Sequence, residues 1–91
     1  MKYELLFSPP LTNKIKAGKI TLLPNEEIGE HKTEKREEII IVMKGRATLE
    51  IENEKIQINE GEAKYIEEGK KHNVMNKTDE ELEYIFVVSF K

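Results

Sequence analysis

Hydrophobic and polar residues alternate along much of this chain with the period of a β-strand. Residues 46–52, Arg-Ala-Thr-Leu-Glu-Ile-Glu, put Ala47, Leu49 and Ile51 on one face and polar groups on the other. Residues 55–59 repeat the pattern with Ile56 and Ile58. The Asn53-Glu54 pair between these runs predicts a tight hairpin, because Asn tolerates positive φ. Gly61 opens a short strand over 62–66, Gly69 precedes another over roughly 71–76, and residues 82–90 form a closing strand. Near the N-terminus, residues 3–7 and 14–23 are also strand-like, separated by the Pro9-Pro10 turn.

Two runs, 39–43 and 84–88, are apolar on both faces instead of alternating. A strand of that kind is covered on each side, by a second sheet or by a partner subunit. Residues 25–38 are rich in helix formers, but Ile28 is their sole apolar member and Gly29 interrupts them. A helix polar all round has nothing to bury, so a loop and short strand are expected there. Glycine-punctuated strands without a helical period predict an all-β sandwich or barrel. No internal repeat or second domain is visible, so residues 1–91 read as one domain.

Length and composition narrow the function classes. A chain of 91 residues buries a modest share of its surface, and an oligomer would cover more apolar area. The chain has no cysteine, which excludes disulfides, thiolate metal sites and thiol nucleophiles. Its 15 basic and 18 acidic residues are mixed, and the tight basic pairs, Lys35-Arg36 and Lys70-Lys71, are too few for a nucleic-acid footprint. The apolar run 39–43 falls far short of the ~18 residues that cross a bilayer. The short Leu5-Leu6-Phe7 run does not make the apolar core of a signal peptide. A soluble cytoplasmic protein is the expectation, without nucleic-acid or membrane partners. Charge carried almost entirely by Glu and Lys, with Asp79 the one aspartate, fits a heat-adapted surface.

Without cysteine, metal chemistry needs imidazole and carboxylate. The two histidines are His31, in the charged stretch Gly-Glu-His-Lys-Thr-Glu-Lys-Arg-Glu-Glu of 29–38, and His72 in Gly-Lys-Lys-His-Asn of 69–73. On a strand, His31 and Thr33 project to one face, and Glu38 shares a face with Ile40 and Val42 while Glu37 shares the other with Ile39 and Ile41. Spacing alone leaves surface exposure as the plainer reading of both histidines.

The spacing nevertheless resembles the two motifs of the cupin superfamily. In the first, Asn25 stands at the leading glycine position, followed after five residues by His31, then Thr33 at the second histidine position. Glu38 comes four residues later, and Gly45 six residues after that. In the second, Gly61 is followed by Glu67 at the proline position, then Gly69, His72 and Asn76. The resemblance implies a small antiparallel jelly-roll β-barrel with His31, Glu38 and His72 pointing into its lumen around a shared divalent metal. Thr33 replaces a fourth ligand with a neutral hydroxyl, which binds a divalent ion weakly. Two imidazoles and one carboxylate suit non-heme iron, and three protein ligands plus a water suit catalytic zinc, so Fe, Mn, Ni, Co and Zn stay open.

Asn76 reads equally as a turn residue or a pocket hydrogen-bonder. Tyr65 and Tyr84 are packing residues or offer a hydroxyl to a ligand. Lys32, Lys35 and Arg36 either solvate a loop or guide an anion. Three functions follow: a metal-dependent enzyme on a small molecule, a small-molecule sensor with or without metal, or a structural remnant that dimerises. A homodimer is expected in each.

Overall fold

The computed structural model describes residues 1–90, all of whose regular structure is β. Nine strands follow in order: β1 (Lys2–Phe7), β2 (Ile15–Leu22), β3 (His31–Lys32), β4 (Arg36–Lys44), β5 (Ala47–Ile51), β6 (Glu54–Ile58), β7 (Ala63–Ile66), β8 (Lys71–Met75) and β9 (Leu82–Phe90). They make two antiparallel sheets, one ordered β1-β2-β9-β4-β7 and the other β3-β8-β5-β6. The sheets pack face to face as a jelly roll. No helix long and apolar enough to cross a membrane is present among the described residues.

Alternation along the strands decides what lies between the sheets. On the five-stranded sheet, Glu38 pairs with Ile66 and Val88, and Val88 with Lys16. The next row inward is Ile40, Phe86 and Gly18, and the one after is Val42, Tyr84 and Ile20. Leu22, Ile40, Val42, Leu49, Ile66, Val74 and Leu82 form the buried centre of this core. Each such aliphatic side chain, fully removed from water, contributes about 1.5–3 kcal/mol. Gly18 is required by its neighbour: a Cβ there would stand 2.8 Å from the Phe86 ring. The absent side chain lets that ring lie across β2, where Tyr3 meets it edge-on at 5.8 Å.

The hairpin between β5 and β6 lies one residue earlier than the alternation suggested. Its turn is Glu52-Asn53, both with positive φ, and Ile51 pairs with Glu54. This register sets Ala47 against Ile58 in the core, whereas a turn at Asn53-Glu54 would set Ala47 against Glu60. Asn53 still supplies one of the left-handed positions, as a two-residue hairpin demands.

The doubly apolar strands β4 and β9 are covered by the second sheet on their inner faces only. On the outer face, Ile39 is 42% exposed and Tyr65 beside it 52%, with Ile41, Ile85 and Val87 half-buried.

Candidate metal centre

The short strand β3 is built by the segment before it. Residues 25–28 run antiparallel to 73–76: Asn25 N donates to Asn76 O (2.9 Å), Ile28 N to Val74 O (3.0 Å) and Asn76 N to Glu26 O (3.0 Å). Asn25 begins this segment with φ 68°, the left-handed turn expected from its glycine position. Gly29, also at positive φ, donates its N–H to Asn73 Oδ1 at 2.9 Å. The chain then enters β3 with His31 directly opposite His72 on β8. The two imidazoles meet edge to face, ring centroids 4.1 Å apart.

Glu38 arrives from the facing sheet. Glu38 is 7% exposed and its Oε1 lies 3.2 Å from His72 Nε2, while His72 is 1% exposed. Glu37 takes the outer face and accepts a hydrogen bond from Tyr65 OH at 2.8 Å. Strand alternation therefore separates the adjacent glutamates as expected. His31 is the exposed member, at the rim of the barrel mouth.

Both histidines are held through the same atom. His31 Nδ1 lies 3.1 Å from Gly29 O, and His72 Nδ1 lies 3.2 Å from Lys70 O. A carbonyl accepts only from a protonated nitrogen, so each neutral ring carries its hydrogen on Nδ1 and presents a lone pair at Nε2. His72 Nε2 is buried without a hydrogen-bond partner: in the neutral ring its lone pair and the Glu38 carboxylate 3.2 Å away are both acceptors. Burial pulls the His72 pKa down, but the Glu38 carboxylate and the Lys70 carbonyl outweigh it and hold the group above its ordinary value.

An orphaned buried lone pair beside a carboxylate is what a cation would satisfy. Two ligands each ~2.1 Å from one ion stand roughly 3.0 Å apart at a right angle and ~3.4 Å apart at a tetrahedral one. The 3.2 Å between Glu38 and His72 falls in that interval. One donor atom from each of His31, Glu38 and His72 lies within 4.8 Å of the others, so this His/Glu/His group could hold a metal ion.

Thr33 lies just past β3, its carbonyl accepting from Gly69 N at 2.7 Å, which ties the two motif loops together. Its side chain is 4% exposed, and Oγ1 has no hydrogen-bond partner. A cavity of about 320 Å³ adjoins the group, walled by Thr33, Glu38 and Tyr84 and by apolar residues such as Ile28 and Phe86. Burial, followed by the charge of Glu38, pushes the Tyr84 hydroxyl far above its ordinary pKa.

The other sequence candidates divide cleanly. Lys32 and Arg36 line the cavity, whereas Lys35 is exposed in the turn before β4. Tyr84 faces the site and Tyr65 does not. Asn76 is structural: its Nδ2 donates to Leu22 O and Glu80 O, and its Oδ1 accepts from Thr78. Three relevant residues escaped sequence reasoning, namely Lys16, Tyr3 and Asn73. Lys16 could have been found, because it shares a strand face with Ile20 and Leu22. Asn73 carried no signal, since its bond to Gly29 spans 44 residues.

A two-sheet β-barrel with paired histidines on one sheet and a glutamate on the other defines a class of small barrel with a His/Glu/His group placed where a metal ion could bind. The chain belongs to the cupin domain family, whose model matches residues 18–88. Among solved structures it is similar to a predicted oxalate decarboxylase from Thermotoga maritima (TM-score 0.91, 23% identity, covering 98% of this chain and 79% of that one). It is also similar to a cupin 2 conserved barrel domain protein from Salinispora arenicola (0.85, 27%, 97% and 74%). A third is the cupin domain of an XRE family transcriptional regulator from Enterobacter cloacae (0.89, 17%, 99% and 96%). No curated protein matches the chain.

Proposed function

We propose that this cupin binds a divalent metal through His31, Glu38 and His72 and acts on a small molecule held in the adjoining cavity. One observation carries the reading: both Nδ1 hydrogens are committed to backbone carbonyls, while the buried Nε2 of His72 points its lone pair at no protein donor. With three protein ligands, a metal retains open positions and supplies Lewis acidity or activates water or oxygen. The chain's own residues bind the ion, exclude water with the apolar wall and hold the ligand against it. Metal analysis of protein purified without added metal tests this. About one equivalent of Fe, Mn, Ni, Co or Zn is expected, lost in a His72→Gln variant. A turnover screen on the loaded form then tests catalysis.

A specific observation keeps a second reading in view, that of a small-molecule sensor. Glu38, itself a proposed ligand, is the one carboxylate lining the cavity among the described residues, and the Tyr84 phenol holds its proton tightly. Proton-transfer chemistry would then depend on Lys16 or on groups of the ligand. The printed descriptions of the similar structures include both an enzyme and a regulator domain, and at these identities they support the fold alone. In either reading a second copy of the chain covers the outer face around Ile39 and Val87, and the Glu- and Lys-rich surface supports heat adaptation.

A further inference from the structure

The cavity beside the His/Glu/His group holds more positive charge than its one carboxylate offsets. Lys16 faces it from β2, in the same cross-strand row as Glu38 with Val88 between them. Arg36 faces it from β4, two residues before Glu38 and so on the same strand face. Neither cation has an ion-pair partner among the described residues, and the Arg36 guanidinium rests over the Phe90 ring at 5.5 Å. Lys32, the third cation at the mouth, stands 3.9 Å from Glu34. A bound divalent ion would add to this excess. Opposite lies Thr33, whose hydroxyl is buried with no partner.

These features specify a ligand of one chemistry. Half-buried cations with no ion-pair partner among the described residues favour an anion, and a buried hydroxyl needs an acceptor oxygen. Apart from the metal group and the rim, the wall is mainly apolar (Ile20, Ile28, Val74, Phe86 and Val88), with Tyr84 its one buried hydroxyl besides Thr33 among the described residues, so it suits a hydrocarbon body better than a second charged end. A phosphate would bring up to two charges and three acceptor oxygens to a place with one partnerless buried hydroxyl among the described residues. A guanidinium engages either anion through two parallel hydrogen bonds, so it is the single partnerless buried hydroxyl and the apolar wall, rather than Arg36, that favour the carboxylate. At about 320 Å³ the cavity lies at the lower end of the roughly 300–1,000 Å³ range of small-molecule sites.

We propose that the cavity takes a small monocarboxylate with an apolar body. Its carboxylate is held by Arg36 and Lys16 and accepts a hydrogen bond from Thr33 Oγ1. Its hydrocarbon part packs on Ile28, Val74 and Phe86. Thr33, which departs from the family's histidine, thereby serves the ligand rather than the metal. This deepens the small-molecule reading of the same site and rests on it.

The test is a titration, followed by calorimetry and by NMR, of zinc-loaded and metal-free protein with hexanoate, hexanamide and inorganic phosphate. Zinc stoichiometry is measured first and separately. Hexanoate is expected to bind at least tenfold tighter than hexanamide or phosphate. Lys16→Met, Arg36→Met and Thr33→Val should each weaken hexanoate about tenfold while zinc stoichiometry is unchanged. Arg36→Lys and Thr33→Ser should recover much of the loss, which separates ligand binding from folding damage. Arg46→Met, at the opposite end of the barrel, serves as a control that leaves binding intact. Equal binding of hexanoate and hexanamide, preferential binding of phosphate, or indifference to Lys16 and Arg36 would overturn the proposal. Zinc uptake without hexanoate binding would sink the carboxylate inference and leave the metal reading standing. Lys16-dependent hexanoate binding without zinc uptake would do the reverse.

Discussion

His31 and His72 are directly opposed across the two-residue pairing of β3 with β8, their ring centroids 4.1 Å apart. They are 41 positions apart in sequence, yet one cross-strand register brings both rings to the same face beside Glu38. The pairing is short, so its geometry depends on what holds the loop in front of it.

Asn73 is that support. It accepts from Gly29 N, and Gly29 O in turn accepts from His31 Nδ1. Asn73→Ala should weaken metal affinity about 10–100-fold, the usual effect of losing a group that orients a ligand. It should also cost about 1–3 kcal/mol by leaving a part-buried N–H unpaired. Competition with a metal indicator and thermal melting measure the two effects; unchanged affinity would detach Asn73 from the site.

The adjacent glutamates should differ sharply. Glu38→Gln removes the anionic ligand and should lower metal affinity by more than the ~100-fold upper range of orienting residues. Glu37→Gln removes only the acceptor for Tyr65 on the outer face and should leave metal content unchanged. Equal losses in both variants would contradict the strand register.

Acid should displace the metal. Ligand imidazoles must be neutral, and the His72 pKa is held above its ordinary value of ~6.5. Metal affinity should therefore begin to weaken as pH drops below that raised value, and with limiting metal the content should fall at still lower pH; retention that is flat down to strongly acidic pH would argue against histidine ligation. In the metal-free protein the sign reverses. A raised folded pKa means that His72 stabilises the fold fully below ~6.5 and loses this contribution as pH rises through the folded value. The stability difference between metal-free wild type and His72→Gln should shrink from pH 5 to pH 8. A difference that grows instead would refute the electrostatic account.

Thr33→His should tighten metal binding. The hydroxyl of Thr33 is buried at the edge of the same cavity as His31 and Glu38, and an imidazole there supplies the fourth ligand of the family pattern. An unchanged metal affinity would place the side chain outside coordination reach.

The outer sheet face should join two copies. Sedimentation at micromolar concentration should show a dimer, and Ile39→Glu should convert it to a folded monomer, because Ile39 is exposed within one chain. A monomeric wild type would leave this apolar face without a role.

Much of this molecule is written locally. Alternation placed the inner face of β5 and separated Glu38 from Glu37, because side-chain direction in a strand follows from position alone, and the lack of an apolar stripe kept residues 25–38 out of a helix; β9, apolar on both faces, showed no inner side locally. Backbone preferences did the same for Asn25 and Asn53, whose left-handed turns need nothing distant. Register was different. Whether the hairpin turned at residue 52 or 53 depended on Ala47 meeting Ile58 rather than Glu60, a choice both strands allow locally. The hold of Asn73 on Gly29 exists only once distant segments pair within one sheet, and the meeting of Lys16 and Arg36 with the partnerless hydroxyl of Thr33 around one cavity exists only once the two sheets close on each other. Burial and partnership are properties of the assembled barrel, and no stretch of the chain carries them by itself.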